Sequence, residues 1–178
     1  MRPLRALIRN DSGAAAAEMV LVTPMLIILM LGSVELGSYF LTEHAVTKQV
    51  RDGARYASRL TLADDYECST SDLTKVFKDA DAEAHIINVT KVGAVTGDGS
   101  PRFADGFWAA CGAAAPVTVS IRCIPKTGYG GIYAGLSGDI PVVSVRANVA
   151  YPSLFGTLGF DTSSLCISPQ SEGVVAGL

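Results

Sequence analysis

The sequence has 178 residues, 49% of them hydrophobic and 17% charged, with a net charge of −3, a mean hydropathy of +0.34 and a pI near 5.3. That apolar balance excludes a disordered chain, and an acidic protein without a Lys/Arg-rich block interleaved with aromatics is not a nucleic-acid binder by composition. The length allows one globular unit plus an appendage.

The chain opens on a basic segment, residues 1–13 (MRPLRALIRNDSG), in which Arg2, Arg5 and Arg9 face only Asp11. Residues 14–34 (AAAAEMVLVTPMLIILMLGSV) follow, with one charge, Glu18, and three of the four Met. As a helix these residues span about 31 Å, the thickness of a bilayer's hydrocarbon core. No second run of 18 apolar residues occurs downstream, which excludes a multi-span transporter. The next positive charge after the block is Lys48, so the positive-inside bias puts the N-terminus in the cytoplasm and exports everything beyond about residue 35. A cleaved secretory signal is the competing reading. The long apolar run opposes it, and so does the placement of the small residues Ala14 to Ala17 before that run instead of after it.

Glu18 does not fit a plain anchor. A carboxylate in a spanning helix costs about 3 kcal/mol at the bilayer centre, and such groups usually find a partner. If the chain were cut between Gly13 and Ala14, Glu18 would be the fifth residue, and the new α-amino group of an adjacent copy would be a matching countercharge. The plainer reading is a side chain at headgroup depth. Further along, Pro24 removes a backbone donor and, with Gly32 and Gly37, is positioned to bend the helix; Glu35 marks its outer edge.

Residues 35–60 continue the helix as an amphipathic stalk. Tyr39, Val46, Val50, Gly53, Ala57 and Leu60 recur at spacings of three, four and seven and form a seam that needs a partner, either the protein's own globular part or a neighbouring helix. Lys48, Arg51, Arg55 and Arg59 line another face. Residues 61–178 form the globular part. A helix is expected over 73–84, capped by Ser71 or Asp72, then strands over 86–95, 117–123, 142–151 and, weakly, 164–169. Alternation puts Val117, Val119, Ile121 and Cys123 on one face, and Val143, Val145, Ala147, Val149 and Tyr151 on another. Gly-rich loops at 97–106 and 127–138 separate these elements. The fold class is α+β: a long membrane-spanning helix and stalk packed on a small antiparallel sheet.

The four cysteines, Cys68, Cys111, Cys123 and Cys166, all fall on the exported side and fit two disulfides in an oxidising compartment. Three pairings are possible. Loop entropy leans toward Cys111 with Cys123, a closure worth about 3 kcal/mol, which leaves Cys68 for Cys166. With no C-x-x-C the set is not a zinc site. An acidic cluster of Asp64, Asp65 and Glu67 has the ligand chemistry for Ca²⁺, whereas Asp79, Asp81 and Glu83 would diverge on a helix. The only histidines, His44 and His85, fall on the stalk and before a strand, so no Ser-His-Asp arrangement forms, and GYGG at 128–131 opens no helix. Neither an enzyme nor a cofactor is indicated.

The string SGAAAAEM followed by an apolar run resembles the processing site of type IV pilin-like proteins. More closely, GAAAAEMVLVTPMLIILMLGSVELGSYF followed by VRDGARYAS resembles the N-terminal signature of TadE-like pseudopilins of tight adherence (Tad) pili. The tail SVRANVAYPSLFGTLGF is similar to that family's C-terminal region, and residues between are not. The resemblance implies that a prepilin peptidase cuts between Gly13 and Ala14 and that Glu18 acts in assembly. It implies a minor subunit in the bacterial inner membrane, domain in the periplasm, whose partners are other pilins, the Tad assembly platform and membrane lipid, and which can enter an extracellular pilus. Met19 departs from the Tyr of Tad major pilins, and the length disfavours both that short fibre subunit and the larger TadG-like proteins. The alternative class is an uncleaved, membrane-anchored periplasmic binding or envelope module.

Overall fold

The computed structural model describes residues 12–62, 65–68, 75–100, 102–103, 106–136, 138–157, 159 and 164–177. It divides into two compact units, Met1–Phe40 and Leu41–Leu178. One helix, α1 (Ser12–Ala57), runs through both, with Pro24 inside it. In the first unit α1 is exposed on every side over residues 13–34. From Val46 onward one face is buried: Val46, Gln49, Val50, Ala54 and Ala57 are each 2% exposed or less. Of the seam read from the sequence, Val46, Val50, Gly53 and Ala57 are therefore covered within the second unit, to which they belong.

That unit contains β1 (Tyr66–Cys68), β2 (Lys75–Phe77), α2 (Ala82–Val92), β3 (Val117–Ile124), β4 (Ile140–Ala147), β5 (Val149–Ala150), a short α3 (Leu154–Thr157), β6 (Cys166–Ile167) and β7 (Gln170–Val174). The central sheet is antiparallel with strand order β3-β4-β7; β1-β2 and β5-β6 form separate two-stranded ribbons. Val143 stands opposite Ile121 on one side and Gly173 on the other, and Val145 opposite Val119 and Ser171. These residues share a face, because side chains alternate along a strand. The helices cover that face, and Val143, Val145 and Ala147 beneath them are fully buried. The opposite face is polar: Arg122 pairs with Glu172 at 3.1 Å, and Gln170 Nε2 donates to Ser144 Oγ at 2.8 Å.

The helical layer is close-packed because α1 carries small residues where it meets its neighbours. A Cβ at Gly53 would overlap Thr90 Oγ1 of α2 and lie 3.6 Å from the Ile86 carbonyl oxygen, while a Cβ at Gly173 of β7 would sit 2.8 Å from the Ala54 carbonyl oxygen. The end of α1 is tied down by Tyr66, whose hydroxyl donates to the Ala57 carbonyl at 2.6 Å, supplying one of the donors that a helix C-terminus lacks. Burial, followed by the neighbouring Asp65 charge, raises the Tyr66 phenol above its ordinary pKa. The C-terminal segment closes over the same end: Ala176 N–H donates to Ser58 O at 3.0 Å, and Leu62 N–H to Gly177 O at 3.3 Å.

Three expectations are corrected. The order of elements between 73 and 95 is reversed: residues 75–77 are a strand, and the helix lies at Ala82–Val92. The proposed caps Ser71 and Asp72 lie outside the described residues. In α2 the buried residues Ala82, Ile86 and Thr90 are four apart, a helical period that outweighs the β-branched Ile86, Ile87 and Val89. Gly93 ends the helix at φ 75°, its N–H donating to Val89 O. The weak strand expected at 164–169 is only the two-residue β6, and the sheet's third strand, β7, lies beyond it and was not expected.

The disulfide pairing is the third. Cys68 bonds Cys123, and Cys111 bonds Cys166, each pair 55 residues apart with Cα atoms 5.8 Å apart. Sheet geometry decides this over loop length. Cys68 O accepts from Asp139 N–H at the start of β4, whose Pro141 stands opposite Cys123. Cys111 N–H donates to Asn148 O, while Ala150 pairs with Cys166. Each closure is worth about 4 kcal/mol in the chain-entropy account.

The Gly53 contact gives a signed prediction. Alanine favours an exposed helix position over glycine by about 1 kcal/mol, but Gly53→Ala is expected to lower the domain's stability by about 1–3 kcal/mol through overpacking. Thermal unfolding of the full chain in detergent measures the sign. A raised Tm would mean that α1 and α2 do not approach closely.

Candidate functional site

The residues singled out for function sit on the first unit's helix. Gly13 and Ala14 lie in its first turn, exposed, with nothing within 4 Å of a side chain built at Gly13. Glu18 stands one turn further, at the four-residue spacing that shares a face with Ala14. It is exposed and makes no hydrogen bond or ion pair among the described residues. The apolar side chains around it are equally uncovered: Met19 is 64% exposed, Leu21 75% and Met25 67%. Surfaces of this size are not left to water; the stretch from Gly13 is long and apolar enough to cross a membrane, with a mean hydropathy of 2.2 over its best 18 residues.

The polar groups of this stretch follow bilayer logic with two exceptions. Thr23 Oγ1 donates to Met19 O at 2.6 Å, and Ser33 Oγ contacts Leu29 O at 2.8 Å and Met30 O at 2.9 Å. Both hydroxyls are thereby satisfied within the helix, as hydrocarbon requires. The exceptions are the Glu18 carboxylate and the carbonyl of Val20, whose intrahelical donor would be the N–H that Pro24 lacks. They lie within one turn of each other. Beside them an apolar notch of about 560 Å³ is lined by Met19, Val20, Thr23, Pro24, Ile27 and Ile28. The chemistry of the arrangement is that of a lone carboxylate on an apolar helix surface, which in lipid would favour a countercharge.

The second candidate region, the motif VRDGARYAS, proves to be a packing motif. Asp52 pairs with Arg102 at 2.9 Å, Gly53 meets Thr90, Ala54 meets Gly173, and Ala57 O receives Tyr66. Lys48, Arg51, Arg55 and Arg59 are exposed. The tyrosine clamp and the Asp52–Arg102 pair were not read from the sequence: the first depends on the turn between α1 and β1, nine residues of chain, and the second joins positions 50 residues apart. Of the acidic cluster, Asp64 lies outside the described residues. Asp65 is engaged locally: its carboxylate accepts from Thr61 N at 2.6 Å and Thr61 Oγ1 at 2.7 Å. Asp79 and Asp81 precede α2 instead of lying on a helix, and Asp79 Oδ1 accepts from Asp81 N–H at 3.1 Å. The two disulfides suggest an extracytoplasmic, oxidising setting for the second unit.

Residues 13–55 match the family model described as TadE-like protein. The match takes in Gly13, Ala14, Glu18 and the helix as far as Arg55, and the tail lies outside it. No curated protein and no solved structure matches the chain.

If Glu18 serves something other than anchoring, insertion should not need it. Glu18→Leu is expected to insert at least as well as the wild type, with a gain of up to about 3 kcal/mol, in a microsomal insertion assay that reports topology. A loss of insertion would make Glu18 a topological element instead.

Proposed function

We propose that this chain is a minor pilin-like subunit that assembles into, or initiates, a Tad-type pilus. The match at residues 13–55 supports a pilin-like protein of the Tad pilus context, a family of structural proteins and not enzymes. The observation that carries the finer reading is a single carboxylate without a countercharge among the described residues, in an apolar stretch whose hydroxyls are satisfied within the helix, five residues into the chain that a cut after Gly13 would release. In this reading residues 1–13 are a leader, 14–34 span the inner membrane, 35–60 form the stalk and 61–178 the exported domain.

Each step follows from physical chemistry. Held in lipid, the helix buries its apolar surface and tolerates Glu18 near the interface at modest cost. Cleavage by a prepilin peptidase at the exposed first turn would remove three arginines and one aspartate and leave an α-amino group on Ala14. Docking onto other pilin helices would replace lipid contacts by helix contacts. In that low-dielectric bundle, Glu18 and a neighbour's terminal ammonium neutralise each other, an interaction far stronger there than in water. The disulfide-bonded domain travels outward as cargo of the helix.

N-terminal sequencing and intact mass, with and without a co-expressed prepilin peptidase, test the reading. A product beginning at Ala14 is expected, and a chain never shortened would favour an uncleaved envelope module. In the native host, Glu18→Ala should leave processing and folding intact while reducing surface pili to background. Unchanged piliation would remove the pairing role.

A further inference from the structure

Among the described residues no further strand is hydrogen-bonded to the outer side of β3 or β7, and the backbone pattern shows which groups are left over. Ala147 N–H donates to Pro169 O and Val175 N–H to Pro141 O, so the odd-numbered residues of β7 bond β4. Antiparallel alternation then turns the backbone groups of Gln170, Glu172 and Val174 outward. On the other side Asn148 N–H donates to Pro116 O, so the even-numbered residues of β3 bond β4, and those of Val117, Val119, Ile121 and Cys123 point away from the sheet. None of these outward groups has a partner among the described residues. Such edges are templates for another strand.

The two edges carry opposite charge. Beside β7 a cleft of about 240 Å³ is lined by Arg51, Ala54, Arg55 and Ser58 of α1 and its following turn, and by Ser171, Glu172 and Gly173. Neither Arg51 nor Arg55 is ion-paired among the described residues, whereas Glu172 already faces Arg122. Beside β3 a cleft of about 480 Å³ is lined by Phe77, Asp79, Ala80 and Glu83 together with Val119, Ser120 and Ile121. Asp79 and Glu83 likewise lack a cation among the described residues. The layer that covers the sheet thus presents two arginines at the β7 edge and two carboxylates at the β3 edge, none of them in an ion pair among the described residues.

We infer that the domain associates head to tail with a second copy of this chain, the β7 edge of one pairing with the β3 edge of the next, so that Arg51 and Arg55 meet the partner copy's Asp79 and Glu83. The strand pairing would satisfy the outward backbone groups on both copies, and charge complementarity would select the mate and exclude like edges. Because the two surfaces differ, the contact is heterologous and leaves one free edge of each kind, as a growing array requires. The polar face continues across it, since the Arg122–Glu172 pair lies on that face in each copy. The inference concerns the second unit alone and does not depend on cleavage after Gly13.

Two differently tagged copies of the full chain, co-purified from detergent, test it. The double reversals Arg51→Glu with Arg55→Glu, and Asp79→Lys with Glu83→Lys, should each lower self-capture at low salt by roughly tenfold or more. Both lie on exposed positions, and intact disulfides on non-reducing gels verify folding. Mixing the two variants is the decisive arm: each supplies the complement the other lacks, so capture between them should return to near the wild-type level. Self-capture unaffected by either reversal would overturn the inference. So would two reversals that fail alone and also fail together, which is the outcome if these edges receive a different subunit.

Discussion

The second unit depends on how closely the backbone of α1 comes to its neighbours between Gly53 and Ala57. At Gly53 and Gly173 a single methyl group would collide with Thr90 of α2 or the Ala54 carbonyl. With those methyls absent, the helix lies against α2 and β7 at once. Val46, Val50, Val143 and Val145 are then sealed from water, and the Tyr66 hydroxyl reaches the helix's last carbonyls. Dispersion and hydrophobic burial fall steeply with separation, so the small residues convert a stalk into an integral part of the domain. Beside this seam the buried Gln49 has no partner for its Oε1 among the described residues, so packing there is bought at the expense of a hydrogen bond.

The same helix obeys a different rule in its first half. Residues 13–34 present apolar side chains all round and bring their own hydroxyls back onto the backbone, as lipid demands. Only Glu18 and the carbonyl opposite Pro24 break that rule. An ion there costs free energy in lipid, and in the proposed function that cost is offset by a countercharge on a neighbouring helix. The domain, held by two interlaced disulfides, supplies the surfaces by which neighbours would be chosen.

Much of this was legible in the sequence, for physical reasons. A continuous apolar run specifies one long helix. Strands β3 and β4 are legible because one face is apolar and the other polar, which makes their alternation visible. Strand β7 is hidden because its helix-facing positions are Ser171 and Gly173, chosen for close approach and not for hydrophobicity. Helix α2 is masked by β-branched residues whose period only the packing against Gly53 reveals. The disulfides defied the loop-length reading because strand register, a non-local property, brings Cys68 to Cys123. Glu18 was legible as an anomaly, since a lone charge in lipid is costly wherever it lies.

The central claim is that one helix is held by lipid in its first half and by its own domain in its second. Amide hydrogen exchange of the full chain in lipid nanodiscs, followed as urea is raised, tests this most directly. Residues 46–57 should lose protection together with Val143 and Val145 of β4, while residues 14–34 keep theirs. If residues 46–57 stayed protected after β4 had exchanged, the helix would be a single lipid-stabilised rod, and the account of its second half would be wrong.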